Sequence, residues 1–321
     1  MPRDVDAMGP FHAGERAVQA RAGVRASAAR VGGIIGDTIP PALMPFLRTA
    51  RVVAVGAPDE RGRVWATMLV GEPGFVDASP RRLLVRARPL PGDALRSLLT
   101  TPAPSSARSA VGLTIIDLAT RRRVRVNGTL AADEGFAVAV EEAYVNCPKY
   151  IQARTPLAAD RPRGDAPPVA ERDVEEERDE LSDEQRRWLG AADTAFLASV
   201  GPTGRADASH RGGPPGFLVA TDARRVLLPD YAGNTMFNSL GNLAADPRAG
   251  LAVPDFARGR LLQLSGKAAV DWRPESAAAF PGAERVVVLE VERVREVAGA
   301  LPAAWSAPVA SPFNPDASTR R

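Results

Sequence analysis

Apolar residues recur along this chain in short runs, many alternating with polar positions and most bounded by Gly, Pro, Asn or Asp. A period of two with such punctuation predicts β-strands joined by turns. In the second half TAFLASV, the turn GPTG and RADASHR read as strand, turn and strand; GFLVA and RVLLPD repeat the pattern. RAGLAVPDF and RLLQLSGKAAVDW form a hairpin, and RVVVLEVERVREV is one more strand. Between them NTMFNSLGNLAAD spaces Met236, Leu240 and Leu243 as one face of a short helix that Pro247 stops. Two further helices are predicted. Ser182 and Gln185 have capping-box spacing ahead of Trp188 and Leu189. FHAGERAVQARAGVRASAAR reads as a surface helix, with His12 at its start more readily a capping or exposed residue than a functional one.

The first half runs in the same order. Gly62-Arg63 and Pro73-Gly74-Phe75 recur as Gly204-Arg205 and Pro215-Gly216-Phe217, offset by 142. Gly112-Leu113, Asp117 and Gly128 recur as Gly250-Leu251, Asp255 and Gly266, offset by 138. A loop four residues longer in one half accounts for the change of register, so the chain reads as an internal repeat. Residues 1–154 form the helix and first β unit, 155–180 a linker, 181–301 the second β unit and 302–321 a disordered tail. The linker begins rich in Pro and Ala and ends in ERDVEEERDE, a composition that buries little apolar surface.

Composition narrows the chemistry. One cysteine, Cys147, and two histidines, His12 and His210, leave no material for a disulfide, a Cys-based metal site or an iron–sulfur cluster. The 321 residues carry a net charge of +3, and the arginines are spread along the chain rather than interleaved with aromatics, which argues against nucleic acid. No apolar run suits a membrane span or signal peptide, so a cytoplasmic protein is expected. The two lysines, Lys149 and Lys267, both fall in segments of interest.

The segment PDYAGNTMFNSLGNLAADPRAGL, residues 229–251, carries the strongest chemical signal. It reads as a strand end, a tight turn at Gly233 and a helix opening at Asn234-Thr235; free N–H groups at such an end attract phosphate. Asn234, Thr235 and Asn238 add donors, and DASHRGG upstream brings Ser209, His210 and Arg211, the last able to grip phosphate with two prongs. Strand alternation puts Ser209 and Arg211 on one face and His210 on the other. A capped helix beside a surface arginine is the plainer alternative. In NCPKYIQ, Pro148 breaks a strand so that Lys149 and Tyr150 project from a turn, either toward a ligand or merely closing a barrel. Gln263, Ser265 and Lys267 share one face of a strand.

These residues carry a resemblance. Asp207-Ala-Ser-His-Arg211, Gly216-Phe217, Pro229-Asp-Tyr-Ala-Gly-Asn234, Asn238-Ser-Leu-Gly-Asn242 and Asp246-Pro-Arg-Ala-Gly250 resemble the pyridoxamine 5'-phosphate oxidase-like family of FMN-binding split barrels. Glu142 to Gln152 resembles the tandem subgroup with E-A-Y-x-N-C-P-K-Y-I-Q. The resemblance implies a mainly β protein of two tandem six-stranded split barrels with short flanking helices, an internal pseudo-dimer with homodimerisation left open. It implies FMN in a groove between barrels, held by Ser209, His210, Arg211, Tyr231, Gly233, Asn234, Thr235, Met236, Asn238, Gln263, Lys149 and Tyr150. Asn234, Thr235 and Met236 stand where many relatives carry an Arg-Lys pair, with Lys149 as a compensating cation. The first repeat has ATMLVGE and GDALRSLLTTP at the corresponding places, with Asp93 at the would-be phosphate position, so one site per chain is expected. The implied activity is a flavin-dependent oxidoreductase acting on a small substrate or a nicotinamide donor. A non-catalytic flavin binder, or a split barrel holding haem or a deazaflavin, are the alternatives.

Overall fold

The computed structural model describes residues 9–100, 109–131, 136–157, 177–302 and 304–315. Two helices come first, α1 (Ala13–Arg21) and α2 (Arg25–Gly32), then a short α3 (Met44–Thr49). The single helix expected here is broken at Gly23, whose φ of +71° no helical residue adopts. His12 does cap α1: its Nδ1 accepts from Gly14 N at 3.1 Å while Glu15 accepts from His12 N at 2.7 Å.

The first sheet holds β1 (Val52–Pro58), β2 (Val64–Val70), β3 (Val76–Ser79), β4 (Arg82–Val85), β5 (Ala110–Asp117), β6 (Arg122–Leu130) and β7 (Phe136–Val145), with α4 (Arg96–Thr100) between β4 and β5. The second follows α5 (Asp183–Ala191) and holds β8 (Thr194–Val200), β9 (Ala206–Gly212), β10 (Val219–Ala220), β11 (Arg225–Tyr231), β12 (Arg248–Asp255), β13 (Arg260–Asp271) and β14 (Ala283–Val297). Helix α6 (Asn238–Ala245) joins β11 to β12, and α7 (Pro274–Ala278) joins β13 to β14. The fold is mainly β, and each half has one short strand beyond the expected six.

Strand order in the first sheet is β2-β1-β5-β6-β7-β4-β3; in the second it is β9-β8-β12-β13-β14-β11-β10. Read by position within each half, the two orders are the same. Each half also bulges at one of the glycines that share the 138 offset, at Asn127/Gly128 and at Ser265/Gly266.

Burial explains why β1 and β8 read as unbroken apolar runs. Val53 and Val55 face the core of the first half, whereas Val52 and Ala54 join Phe196, Ala198 and Ala252 in a third apolar layer between the sheets. A strand covered on both faces has no polar side to show. The glycines at 112 and 250 lie on this contact. A Cβ on Gly112 would come 2.4 Å from Asp207 Cα, and one on Gly250 would come 2.6 Å from Trp65 Cα. Any larger residue would push the sheets apart.

Two segments depart from expectation. Residues 304–315, expected as a disordered tail, pack back on the molecule: Val309 pairs with Ala153, Trp305 pairs with Pro156, and Ser311 is buried. Most of the linker, residues 158–176, lies outside the described residues. Its end is anchored by Glu177, which accepts from Arg63 at 2.5 Å and Arg295 at 2.8 Å. Gln185 N donates to Ser182 Oγ at 3.2 Å and Ser182 N to Gln185 Oε1 at 3.0 Å, the expected capping box of α5. Among the described residues no helix is long and apolar enough to cross a membrane.

Candidate functional site

A cavity of about 250 Å³ opens where β6 and the end of β7 meet β9, the end of β11 and the start of α6. Both halves wall it: Arg123, Asn146 and Tyr150 from the first, Arg211, Thr235 and Arg285 among others from the second. Of the residues singled out in the sequence, Ser209, His210, Arg211, Tyr231, Gly233, Asn234, Thr235, Asn238, Lys149 and Tyr150 all line it.

Met236 and Gln263 do not line it. Met236 is fully buried beside Phe11, Ala28 and Tyr144, because the backbone twists at its neighbours. Gln263 is wholly buried in β13, its Nε2 donating to Ala66 O at 2.8 Å and its Oε1 accepting from Ala94 N at 3.0 Å. Its strand neighbour Ser265 is buried too, and Lys267 pairs with Glu292 at 3.5 Å on the surface.

The helix also opens later than the sequence implied. Thr235 and Phe237 take φ of +63° and +59°, so α6 begins only at Asn238. Side chains avoid this left-handed region, and a β-branched residue there is unusual. Tyr150 shares it at +65°, so three of the four described non-glycine residues with positive φ stand around this one cavity. Such local strain persists only where the surroundings enforce it. Asn234 braces the turn, donating to Asn146 Oδ1 at 3.0 Å and accepting from Met236 N at 3.2 Å.

Charge dominates the wall. Four guanidiniums, those of Arg123, Arg125, Arg211 and Arg285, line the cavity with Lys149, against the carboxylates of Asp230 and Glu284. Arg211, expected to be free for a ligand, donates to Asp230 Oδ1 at 2.7 Å. Arg285 reaches the other oxygen of Asp230 at 3.3 Å and is held between the rings of Phe237 and Trp272, at 4.8 and 4.9 Å. Arg125 lies 3.2 Å from Asp207 and donates to Tyr144 Oη at 3.1 Å. Burial opposes the charge of Arg125, but Asp207 and the Tyr144 oxygen outweigh it and hold the guanidinium more firmly protonated than usual.

Arg123 differs from the other three. It donates to His210 Nδ1 at 2.9 Å and pairs with no carboxylate among the described residues. Burial, with the neighbouring charges of Arg125 and Arg211, pulls its pKa down to about 9. Burial and then the same Arg123 push the pKa of His210 well below that of an ordinary histidine, so its ring is neutral, with Nδ1 as acceptor. The buried Nε of Arg123, Arg211 and Arg285, Thr235 Oγ1 and His210 Nε2 have no hydrogen-bond partner among the described residues. Buried donors are normally paired. An anion would give these donors an acceptor.

Arg123, Arg125, Asn146, Asp230, Glu284 and Arg285 were not foreseen as site residues. The signal for the first two was the alternation Arg123-Val124-Arg125-Val126 in β6. Both valines enter the core of the first half, so both arginines must point the other way.

The rest of the wall is aromatic and amide. Tyr150 and Tyr231 lie 5.0 Å apart between ring centres, and Tyr150 Oη donates to Ala232 O at 3.1 Å. Burial and then the nearby Tyr150 raise the pKa of Tyr231 to about 12, so it stays a neutral donor. Behind the wall Ser239 Oγ donates to Asp207 Oδ2 at 3.0 Å and meets Ser209 Oγ at 2.9 Å, which ties Ser209 into the frame.

The corresponding place in the other half is filled. Gln263 stands at the position of Arg125, Thr67 at that of Ser209 and Asp93 at that of Thr235. There Asp93 bonds Thr67 Oγ1 and accepts from Leu95 N at 2.8 Å just ahead of its own helix, while Gln263 accepts from Ala94 N. Asp93 is buried and spent on internal bonds, with burial raising its pKa.

Residues 181–298 match the family model described as pyridoxamine 5'-phosphate oxidase. The second half of the chain is thus similar to that family. Several solved structures are distantly similar to part of the chain. The HupZ protein of Group A Streptococcus is 14% identical, covering 39% of this chain and 99% of its own, with a TM-score of 0.32. A FAD-binding protein from Mesorhizobium loti is 15% identical over 38% of this chain and 99% of its own, at 0.25. An F420 reductase is 17% identical over 39% of this chain and 98% of its own, at 0.26. Each match covers under two fifths of this chain, and such distant likeness says nothing about ligand. No curated protein matches the chain.

Proposed function

We propose that this cavity binds FMN and that the chain is a flavin-dependent oxidoreductase for a small organic substrate or a nicotinamide donor. One observation carries the reading: among the described residues Arg123 is a cation held in the wall without a carboxylate partner, ringed by other donors without hydrogen-bond partners. A phosphate monoester supplies both the missing negative charge and the missing acceptors. Thr235 Oγ1 and the first-turn N–H groups of α6, which have no partner within the helix, add neutral donors on the same side. The family match of the second half supports a flavin over other phosphate esters.

The residues present fit that cofactor. Arg123 holds the phosphate, with Arg211 and Arg285 fixed behind it by Asp230. Tyr150, Tyr231 and Asn146 are placed to border the ring system. When bound, FMN supplies two-electron transfer, and the protein supplies position, charge balance and exclusion of water. The two halves act as an internal pair, a reading their shared strand order supports: the second builds the site and the first roofs it with Arg123 and the turn 146–150.

The test is a titration of purified chain with FMN and with riboflavin, followed by absorbance. FMN is expected to bind at least tenfold more tightly than riboflavin, since only FMN carries the phosphate. Anaerobic bleaching of the bound flavin by NADH or NADPH then separates an enzyme from a flavin carrier. Equal affinity for the two flavins, or a Soret band in place of a flavin spectrum, overturns the assignment.

A further inference from the structure

We propose that residues 304–315 form a strap that positions Tyr150 and Lys149 in the cavity wall, with Gln152, Ser311 and Asn314 as the positioning residues. The proposal deepens the reading above and rests on the cavity being a ligand site.

Tyr150 has a backbone that needs support. Its φ of +65° lies where a bulky residue settles only when its surroundings leave no alternative. The hydrogen bonds to its backbone come from the C-terminal segment and from Gln152, which that segment holds. Tyr150 N donates to Ser311 Oγ at 3.2 Å, and Tyr150 O accepts from Gln152 Nε2 at 3.1 Å. Gln152 is in turn locked from the strap. Its Oε1 accepts from Ser311 N at 2.8 Å and Asn314 Nδ2 at 3.0 Å, and its Nε2 donates to Asn314 Oδ1 at 2.9 Å. Gln152 and Ser311 are only 2% and 4% exposed, so water does not compete for these bonds.

The strap is itself pinned on both sides of Ser311. Ala153 and Val309 exchange two backbone bonds of 2.8 Å, Arg121 donates to Val309 O at 3.0 Å, and the Phe313 ring lies 5.8 Å from Lys149 Nζ. The far side of Tyr150 faces the ligand space: its ring stacks near Tyr231 and its Oη, like Lys149 Nζ, reaches Ala232 O. Strap, left-handed turn and cavity wall are thus one connected chain of contacts. None of the three positioning residues lines the cavity, so they act on it through Tyr150.

The experiment uses the full chain carrying Ser311→Ala with Asn314→Ala. Cys147, the single cysteine, lies three residues before Tyr150 in the cavity wall and reports locally. Its rate of reaction with an aromatic disulfide reagent is expected to rise about tenfold, and the FMN dissociation constant to rise about tenfold, for the loss of bonds of ordinary strength. The melting temperature should fall by no more than a few degrees. A thiol rate and an FMN affinity both within twofold of the unaltered chain overturn the strap, as does an unchanged affinity beside a raised thiol rate. If the unaltered chain binds no FMN, the flavin reading fails separately, and the thiol rate alone decides on the strap. Should the double variant fold poorly, Asn314→Ala alone gives the same readings at smaller amplitude.

Discussion

Arg123 and Arg211 look alike in sequence and differ in what each does for the cavity. Arg211 has Asp230 at 2.7 Å, whereas among the described residues Arg123 meets no carboxylate and donates to the neutral imidazole and the carbonyl of His210. Replacing Arg123 with Met removes a buried charge that nothing compensates. The ligand-free protein should therefore melt higher, while FMN binding weakens by about 2 kcal/mol, roughly thirtyfold. Arg211→Ala should weaken FMN by less, about tenfold at most, because Arg285 still holds Asp230 in place. Paired melting curves and flavin titrations check both, and a larger loss from Arg211 than from Arg123 reverses the assignment of roles. The sequence pointed at Arg211 because a motif surrounded it. Arg123 was missed because its meaning lies in a missing partner, which only the folded arrangement reveals. Asp230 hid for the mirror reason: nothing local says that a carboxylate at a strand end will engage two guanidiniums from other strands.

At the scale of elements, the turn from β11 into α6 stores strain that function requires. Thr235 at φ +63° should relax as Gly, raising stability by about 1 kcal/mol, yet Thr235→Gly removes the Oγ1 donor and so should weaken FMN. A variant that gains neither stability nor loses affinity refutes the account. Helix α1 clamps the same turn: Gln19 Nε2 donates to Met236 O at 2.9 Å and Asn238 Nδ2 donates to Glu15 Oε1 at 2.6 Å. Burial, with Glu142 and Asp207 nearby, raises the pKa of Glu15 to about 7, against 4.5 for the free side chain. The folded state then binds the extra proton between those values, so stability contributed by this group falls as pH rises from about 4.5 to 7. Glu15→Gln should flatten that slope, by at most about 3 kcal/mol over the window. Melting curves of both proteins at pH 5 and pH 8 give the comparison; parallel behaviour would falsify the role given to Glu15. The Ser182–Gln185 capping box and most strands were legible because they depend on neighbours in sequence, whereas the box that His12 forms with Glu15 was not foreseen. The start of α6 was not, because Thr235 and Phe237 adopt conformations that tertiary contact imposes against their own preference.

For the molecule as a whole, the question is why a chain with two sheets of one strand order should carry one ligand. The sequence already showed the asymmetry, with Asp93 standing where a phosphate would go. Repulsion between that carboxylate and a phosphate is one reason, and the structure adds a stronger one. Asp93 accepts from Leu95 N just ahead of α4, bonds Thr67 and is buried, while Gln263 crosses from the second half to bind Ala94 N and Ala66 O. The carboxylate does inside the first half what the proposed anion would do at α6, so the space is closed rather than merely repellent. At the working site the reverse exchange holds: the first half lends Arg123, Arg125 and the turn 146–150 to a cavity based on the second. Two consequences follow from this one-way lending. Saturation with FMN should occur at one molecule per chain, measured by flavin absorbance against protein after gel filtration. The second half expressed alone, residues 177–315, should bind FMN at least thirtyfold more weakly, having lost Arg123 along with the roof. That fragment also exposes the apolar layer of Phe196, Ala198 and Ala252, so its affinity must be read beside a test of its folding. A folded fragment that keeps full affinity, or a full chain that takes two flavins, would show that the sheets serve their sites independently.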